Sequence, residues 1–291
     1  MFLQLLFNSL IAAAIYALVA AGLSLIYSTC RFIHFAHGSV VAAGGYFLYF
    51  FYSLLGVNFW ISVVLAILSG AGLGWLINEF IYRPLRQRKA SNTILLVASI
   101  SVLIIIESLL LISFGADVKV IDFLVNSRGI VIAGAVIMPL QVAIIVVAIL
   151  LFLLLRLFLK FSKMGQAMRA VSDNKDVAEI VGISSEKVYS QTFVLGSAIA
   201  SLAGILIAME QNLEPSMGTI LIIKGFTSAI VGGMGTILGS AIGALTLGVA
   251  ENFGIWYLPS GYKDAIAFVI LFLFLLVRPS GILGIKSSFK N

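Results

Sequence analysis

Charged residues are scarce in this chain: Asp, Glu, Lys and Arg together make up 10% of its 291 residues. A water-soluble domain normally carries about 25% of such residues, so the composition excludes an ordinary soluble globular protein. Hydrophobic residues make up 61% and the mean hydropathy is +1.15. Apolar blocks long enough to cross about 30 Å of hydrocarbon recur along the chain. The sequence therefore predicts an all-α membrane protein that crosses the bilayer many times.

Cysteine and known catalytic signatures are also lacking. Cys30 is the only cysteine, which excludes an intrachain disulfide. His34 and His37 lie near Cys30, but no fourth ligand is close in sequence, and a structural metal site needs a closed set of four ligands. Signatures of nucleotide binding, serine hydrolysis and metalloproteolysis do not occur. We therefore expect no catalytic residue, no metal site and no cofactor on this chain.

Most basic residues lie in three short regions between apolar blocks. These regions contain Arg83, Arg86, Arg88 and Lys89; Arg156, Lys160, Lys163, Arg169, Lys175 and Lys187; and Arg278, Lys286 and Lys290. Such clusters favour the cytoplasmic side of a membrane, so the net charge of +6 does not indicate nucleic-acid binding. The parity of the crossings then predicts about eight or nine transmembrane helices in a single domain over residues 1–291. The N-terminus is expected outside and the C-terminus in the cytoplasm.

Two apolar blocks, Gly38–Phe51 and Thr219–Val231, are too short for a comfortable span of about 20 residues. Half-length helices are tolerated in a membrane only where protein or a cavity covers their backbone. We therefore expect both blocks to lie near the membrane centre and to line a translocation path. The residues assigned to this path are His34, Phe35, His37, Gly38, Ala229, Gly232, Gly233 and Gly235.

Small residues recur at a spacing of four, in Gly70/Gly74 and in Gly235/Gly239/Gly243. This spacing lets helices approach closely in lipid. Each run follows a short glycine-rich block, and the predicted topology orients the two runs in opposite directions. The pattern is compatible with an inverted repeat.

Glu107 is the clearest ionisable residue at membrane depth, inside the apolar block Ile94–Phe114. An intramembrane carboxylate is a candidate for function, although a position toward the outer end of the span also suits a structural role. Glu79 precedes Arg83 by one helical turn, which suits an ion pair at the inner boundary. The scarcity of buried carboxylates argues against a transporter that is itself driven by a proton or ion gradient.

One segment between apolar blocks, at residues 160–188, is polar and able to form a helix. It follows the apolar block Ile130–Leu159. Ser172 or Asp173 is expected to cap a helix N-terminus, and Gly182 suits a left-handed residue at its C-terminal end.

Three apolar residues of that segment, Val177, Ile180 and Val181, have the spacing of one helical face. A helix this short is marginal alone in water. It must therefore dock onto the membrane surface, onto the protein's own spans, or onto a separate cytoplasmic partner. The lack of a nucleotide site and of an ion relay favours the partner, since transport needs an energy source.

Several stretches in order along the chain resemble the permeases of branched-chain amino acid ABC importers. They are Ala17–Tyr27 (ALVAAGLSLIY), Phe35–Gly38 (FAHG), Leu202–Gly204 (LAG), Ala229–Gly235 (AIVGGMG) and Arg278–Gly284 (RPSGILG). The segment that ends in Gly182 and Ile183 resembles the coupling segment of these permeases. The chain length is similar to that of the shorter, LivH-type subunit. Two positions depart from the family pattern, which commonly has Asn at the position of His34 and Gly at that of Ser28.

The resemblance implies a permease subunit in a bacterial inner membrane. ATP would drive import of branched-chain or other apolar amino acids that an extracytoplasmic binding protein delivers. The implied partners are that binding protein, a second, LivM-type permease, and two cytoplasmic ATPase subunits that hold ATP and Mg²⁺, so this chain is expected not to be an enzyme. The residues assigned to ATPase coupling are Arg169, Asp173, Asn174, Val177, Ile180, Val181 and Gly182. Import of urea or another small polar solute, and a gradient-driven transporter or channel, are the alternatives.

Overall fold

The computed structural model describes residues 2–123 and 129–283 and shows a bundle of helices. They are α1 (Phe2–Cys30), α2 (His37–Leu48), α3 (Phe59–Ile77), α4 (Arg83–Gln87), α5 (Asn92–Phe114), α6 (Pro139–Phe161), α7 (Lys163–Asp173), α8 (Lys175–Ile180), α9 (Ser185–Glu210), α10 (Met217–Gly232), α11 (Ile237–Gly254) and α12 (Lys263–Val277). Two π-helical turns, Tyr49–Leu54 and Asn78–Tyr82, prolong α2 and α3, and a 3-10 turn, Ser260–Tyr262, precedes α12.

Six helical segments of the described residues are long and apolar enough to cross a membrane. They are Phe2–Cys30, Phe59–Gln87, Asn92–Phe114, Pro139–Phe161, Ser185–Glu210 and Ile237–Gly254. The prediction of a helical protein with many membrane spans is therefore confirmed. The total of eight or nine crossings and the side on which each terminus lies stay predictions. Arg128, Gly284, Lys286 and Lys290 lie outside the described residues.

The centre of the bundle consists of α1 and α9. The most apolar stretches of these two helices are 89% and 72% buried, whereas that of α6 is only 17% buried. Both central helices are rich in alanine, glycine and serine, and such small residues let neighbouring backbones approach closely. At Gly204, for example, an added Cβ would collide with the backbone of Val41 in α2. Composition thus explains why these two helices lie innermost.

The bundle contains two sets of helices that pack in the same way. In the first set α3 packs against α9 and α2 against α9; in the second, α11 packs against α1 and α10 against α1. Likewise α5 packs on α2, and α12 packs on α10. Residues 31–36 separate α1 from α2, and residues 211–216 separate α9 from α10. This correspondence agrees with the internal repeat suggested by the glycine runs.

The apolar block Ile130–Leu159 does not form one helix from its first residue, so the predicted start of this membrane helix is wrong. Ile130–Ile132 (β1) and Ala135–Ile137 (β2) form an antiparallel hairpin in which Val131 pairs with Val136. The intervening Ala133 and Gly134 have φ of 47° and 83°, as a tight two-residue hairpin turn requires. A helix cannot pass through that turn, so α6 begins only at Pro139, a residue favoured in the first helical turn.

The two short apolar blocks form two short α-helices, α2 with 12 residues and α10 with 16, which are named the half-length helices. Helix α2 continues without a break into its π-helical turn up to Leu54, so only α10 is as short as predicted. Helix α10 ends because Gly233 and Gly235 adopt φ of 113° and 85°, values that side chains with a Cβ avoid. The chain resumes as α11 at Ile237, so the glycine-rich stretch separates two helices within the apolar sequence Thr219–Gly254.

Candidate functional site

The half-length helices α2 and α10 touch near their first turns. A Cβ added to Gly38 would collide with the carbonyl oxygen of Gly218, and one added to Gly218 would collide with that of Gly38. The rings of Phe35 and Phe226 lie beside this contact, with 5.4 Å between their centroids. Each half-length helix therefore covers the backbone of the other, as a membrane interior requires.

Both histidines assigned to the path are fully buried. The Nδ1 atom of His34 lies 2.9 Å from the hydroxyl of Tyr82, and the His34 ring lies against that of Phe193. The His37 ring packs directly onto Gly22 of α1. These two side chains therefore connect the start of α2 to α1, to α9 and to the π-helical turn that prolongs α3. Among the described residues, no group of three or more His, Cys, Asp or Glu side chains could hold a metal ion.

The second group of path residues lies at the other end of α10. Gly232 packs against the backbone of Gly239 in α11. The backbone N–H groups of Ile282 and Leu283 donate to the carbonyl oxygens of Val231 and Gly232 at 2.8 and 2.9 Å. The C-terminal stretch of the described chain thus completes the helix end. Gly38 thus contacts the first turn of α10, whereas Gly232 and Gly233 lie at its other end, so α10 connects the two groups of path residues.

Ala229 and Gly235 belong to this second group. Ala229 is fully buried inside α10. A Cβ added to Gly235 would lie at ordinary van der Waals distance from the Cα and Cβ atoms of Ser28, at the end of α1. The break between α10 and α11 is therefore in contact with the last turn of α1.

The polar segment at residues 160–188, named the coupling segment after its predicted role, contains two helices, α7 and α8. The prediction that Ser172 or Asp173 caps a helix N-terminus is therefore wrong. Ser172 and Asp173 form the last turn of α7, which begins at Lys163 after a cap by Ser162. Asn174 then adopts an extended conformation, and its side-chain oxygen accepts hydrogen bonds from the N–H groups of Asp176 and Val177 at 3.0 and 3.1 Å. Because the Asn174 side chain satisfies the free donors of α8, the helix restarts there.

The apolar stripe of the coupling segment faces away from the rest of the chain. Val177, Ile180 and Val181 are 55%, 83% and 70% exposed. This exposure contradicts the alternative in which the stripe docks onto the protein's own spans. Gly182 has φ of 89°, so the predicted left-handed glycine is confirmed. The polar members of the coupling set, Arg169, Asp173 and Asn174, are exposed as well.

The other side of the coupling segment is attached to the spans. The Ser172 hydroxyl donates to the Ser28 carbonyl oxygen at 2.8 Å, and the Arg31 guanidinium donates to the Ser172 carbonyl oxygen at 2.5 Å. The Ser185 hydroxyl at the start of α9 bonds to the Glu179 carboxylate. The segment therefore contacts both central helices. It also contacts Ser28, the residue that lies beside Gly235 between α10 and α11.

Basic residues that follow α3 anchor the same end of the bundle. Arg83 pairs with Glu79, as predicted. The Arg86 guanidinium binds both carboxylate oxygens of Glu186 at 3.1 and 2.8 Å and lies 4.9 Å above the Tyr189 ring. A planar guanidinium suits this two-fold contact with a carboxylate. Helix α4 is thus fixed to the first turns of α9.

A buried ion pair inside the bundle escaped the sequence analysis. The Lys224 ammonium in α10 lies 3.2 Å from Glu251 of α11 and 3.0 Å from Asp264 of α12. Tyr16 of α1 donates a hydrogen bond of 2.6 Å to the Glu251 carboxylate. Lys224 is 7% exposed and Glu251 is fully buried. This cluster fixes α10 against three neighbouring helices.

The signal for that cluster is present in the sequence. Lys224 and Glu251 are single charges of opposite sign inside one apolar block, Thr219–Gly254. An ionisable residue at membrane depth usually faces the interior and has a partner.

Comparisons with known proteins agree with the family resemblance. A family model described as "Branched-chain amino acid transport system / permease component" matches residues 5–275. The high-affinity branched-chain amino acid transport system permease protein LivH of Salmonella typhimurium is 35% identical, with 97% of this chain and 96% of LivH aligned. The corresponding permease protein BraD of Pseudomonas aeruginosa is also 35% identical, over the same shares.

A solved structure shares the fold. It is titled "PsaBC from Streptococcus pneumoniae in complex with Fab", and it superposes with a TM-score of 0.53 over 94% of this chain and 91% of the solved chain. The sequences are 15% identical. At that identity the likeness describes the arrangement of helices alone.

Proposed function

The chain belongs to the family of permease components of branched-chain amino acid transport systems, and we propose that it is the membrane-spanning subunit of an ATP-driven amino acid importer. Its relationship to the family over nearly the whole chain carries this proposal. The solute is a branched-chain or similarly apolar amino acid. The chain itself hydrolyses no ATP.

The proposed assembly contains a second, LivM-type permease, two cytoplasmic ATPase subunits and an extracytoplasmic binding protein. The proposed location of the protein is the inner membrane of a bacterium. The chain crosses this membrane about eight or nine times, with its N-terminus outside and its C-terminus in the cytoplasm. The clusters around Arg86 and Arg169 support this orientation, because basic loops favour the cytoplasm.

The coupling segment at 160–188 transmits the motion of the ATPase. Its exposed stripe of Val177, Ile180 and Val181 supports a docking role, because an isolated apolar face in water is unfavourable unless a partner covers it. Attachment of the same segment to Ser28 and Ser185 gives the motion a route into α1 and α9. A rigid-body displacement of these helices would then open or close the path.

The substrate is tested on the cognate binding protein, which delivers the solute to the permease. The purified binding protein is titrated calorimetrically with leucine, isoleucine, valine and urea. We expect binding of at least one of the three amino acids and no heat from urea. Binding of urea alone would overturn the amino acid assignment and leave the importer assignment to be judged by ATP dependence.

A further inference from the structure

The exposed faces of most spans are uniformly apolar. In α3 over residues 60–77, in α6 over 142–155 and in α12 over 265–277, every exposed side chain is apolar or is glycine. Such faces suit lipid, where an unpaired polar group is costly. Helix α5 differs, because it exposes Ser108 beside the half-buried carboxylate of Glu107. Two other serines of α5 are exposed: Ser101, which bonds to the Val97 carbonyl oxygen of its own helix, and Ser113, which lies in the last turn of the helix.

Glu107 lies well inside its span. Phe114, at the end of α5, is seven positions further along the chain, which corresponds to about 10 Å along the helix axis. One carboxylate oxygen accepts a hydrogen bond of 3.0 Å from the Thr219 hydroxyl of α10. Among residues 2–123 and 129–283, no cation forms an ion pair with Glu107, and a carboxylate at this depth is costly unless it faces a partner or water.

Glu107 and Ser108 line an open crevice of about 510 Å³. Glu214, Pro215 and Ser216, which precede α10, form its opposite wall. This volume lies within the range of small-ligand sites, about 300–1,000 Å³. The crevice opens on the surface of the chain, so its open side is left to lipid, water or a neighbouring subunit.

The walls of the crevice are held in place by backbone contacts. The Lys119 N–H donates to the Leu213 carbonyl oxygen at 3.0 Å, and the Leu213 N–H donates to the Lys119 carbonyl oxygen at 2.8 Å. This bridge ties the segment after α5 to the segment before α10. The Lys119 ammonium lies 3.7 Å from the Asp117 carboxylate. The charged side chains that line the crevice itself are two carboxylates, those of Glu107 and Glu214. The crevice therefore favours a cation.

We propose that the Glu107–Ser108 crevice is the part of the translocation path that receives the α-ammonium group of the amino acid, with the second permease closing its open side. This inference rests on the proposed function, which supplies a solute with a primary ammonium group. Glu107 pairs with the ammonium, and Ser108 adds a hydroxyl acceptor. The rest of the wall is mostly apolar and includes Ile104 and Leu111. It therefore suits the aliphatic side chain of the amino acid.

The first test measures water and charge at Ser108. Ser108→Cys and Leu109→Cys are made in a Cys30→Ala background, because Cys30 is the only native cysteine. Leu109 is the adjacent exposed residue, 55% exposed, and about 100° further around the helix. Right-side-out vesicles that contain the complete importer are treated with membrane-impermeant methanethiosulfonates, one carrying trimethylammonium and one carrying sulfonate.

Ser108→Cys should react while Leu109→Cys stays unreactive. After each rate is divided by the rate of the same reagent with a free thiol in solution, the cationic reagent should react about tenfold or more faster than the anionic one, because a narrow site of one charge concentrates the opposite charge. Glu107→Gln in the Ser108→Cys protein should remove most of this preference. An unreactive Ser108→Cys, or equal rates for the two reagents, would overturn the inference.

The second test separates substrate contact from helix packing. Glu107→Gln should lower the maximal ATP-driven amino acid uptake about tenfold or more, the loss expected when a charge-assisted contact is removed. Thr219→Val removes the hydrogen bond to Glu107 but keeps the carboxylate, so it should retain most of the uptake. Equal losses in the two variants would assign Glu107 a packing role only. Absence of amino acid uptake by the wild-type importer would refute the proposed function. The rates of the thiol reagents test only the crevice and do not depend on uptake.

Discussion

The hydroxyl of Ser172 donates a hydrogen bond of 2.8 Å to the backbone carbonyl oxygen of Ser28. This contact joins the last turn of α7, in the coupling segment, to the last turn of α1, the most buried span. Gly235, at the break between α10 and α11, lies against the same Ser28. Under the proposed function, a displacement of the coupling segment would act on a central helix and on the break between α10 and α11 through this one residue.

Loss of this hydrogen bond should loosen coupling. Ser172→Ala removes the donor, and we expect the amount of amino acid taken up per ATP hydrolysed to fall about two- to tenfold, the range for one hydrogen bond. Ser28→Ala is the matched control, because the acceptor is a backbone oxygen that this substitution leaves in place. Both quantities are measured in proteoliposomes that contain the complete importer. Equal effects of the two substitutions would contradict a route through this bond.

The exposed stripe of α8 should hold the ATPase. Ile180→Asp places a charge where the docked partner is expected, and burial of an isoleucine side chain contributes about 1.5–3 kcal/mol. The loss corresponds to docking that is about ten- to a hundredfold weaker. The permease should still insert, while copurified ATPase and ATP-driven uptake fall together. Gln166→Asp, at an exposed residue of α7 outside the stripe, should leave both near wild type; full copurification by Ile180→Asp would argue against docking at this face.

Close contact of the half-length helices should tolerate no side chain. Gly38→Ala introduces a Cβ that collides with the Gly218 backbone, and overpacking of this kind costs about 1–3 kcal/mol. We expect a lower thermal midpoint and reduced uptake, and stronger effects from Gly38→Leu. Gly72→Ala in α3 is the control, because no atom lies within 4 Å of its added Cβ. Wild-type midpoint and uptake in well-expressed Gly38→Ala would show that α2 and α10 do not meet there.

The buried charges should matter as a pair. Lys224→Met leaves Glu251 buried without its main cation, a change that typically costs about 3–5 kcal/mol. The thermal midpoint of the purified importer should therefore drop clearly. The double variant Lys224→Met/Glu251→Gln removes both charges and keeps a group that Tyr16 can bond, so it should recover much of the loss. A double variant as unstable as Lys224→Met would indicate that the charges do not compensate each other.

Much of this fold is readable from the sequence, because hydropathy and glycine placement act locally. The short blocks at Gly38 and Thr219, the break at Gly233 and the left-handed Gly182 all follow from the length of an apolar run or from the freedom of glycine. The start of α6 was misplaced, since the hairpin at Ile130–Ile137 is as apolar as the helix that follows. Hydropathy alone does not separate a short apolar strand from a helix.

The parts that sequence reasoning missed depend on contacts between distant segments. Asn174, and not Ser172 or Asp173, caps α8, because all three residue types suit a cap and only the backbone conformation selects one. The link between Ser172 and Ser28 joins residues 144 positions apart. The pair of Lys224 and Glu251 needed the packing of α10 against α11 before either charge could be assigned a partner.

ATP dependence of amino acid uptake tests the central claim most directly. The complete importer, purified with its ATPase subunits and second permease, is reconstituted into proteoliposomes with the binding protein on the outer face. Uptake of radiolabelled leucine, isoleucine and valine is followed with and without Mg-ATP on the cytoplasmic face, and with a proton ionophore. The account predicts uptake that requires both Mg-ATP and the binding protein and continues in the presence of the ionophore. Uptake that proceeds without ATP and stops when the ionophore is added would contradict it.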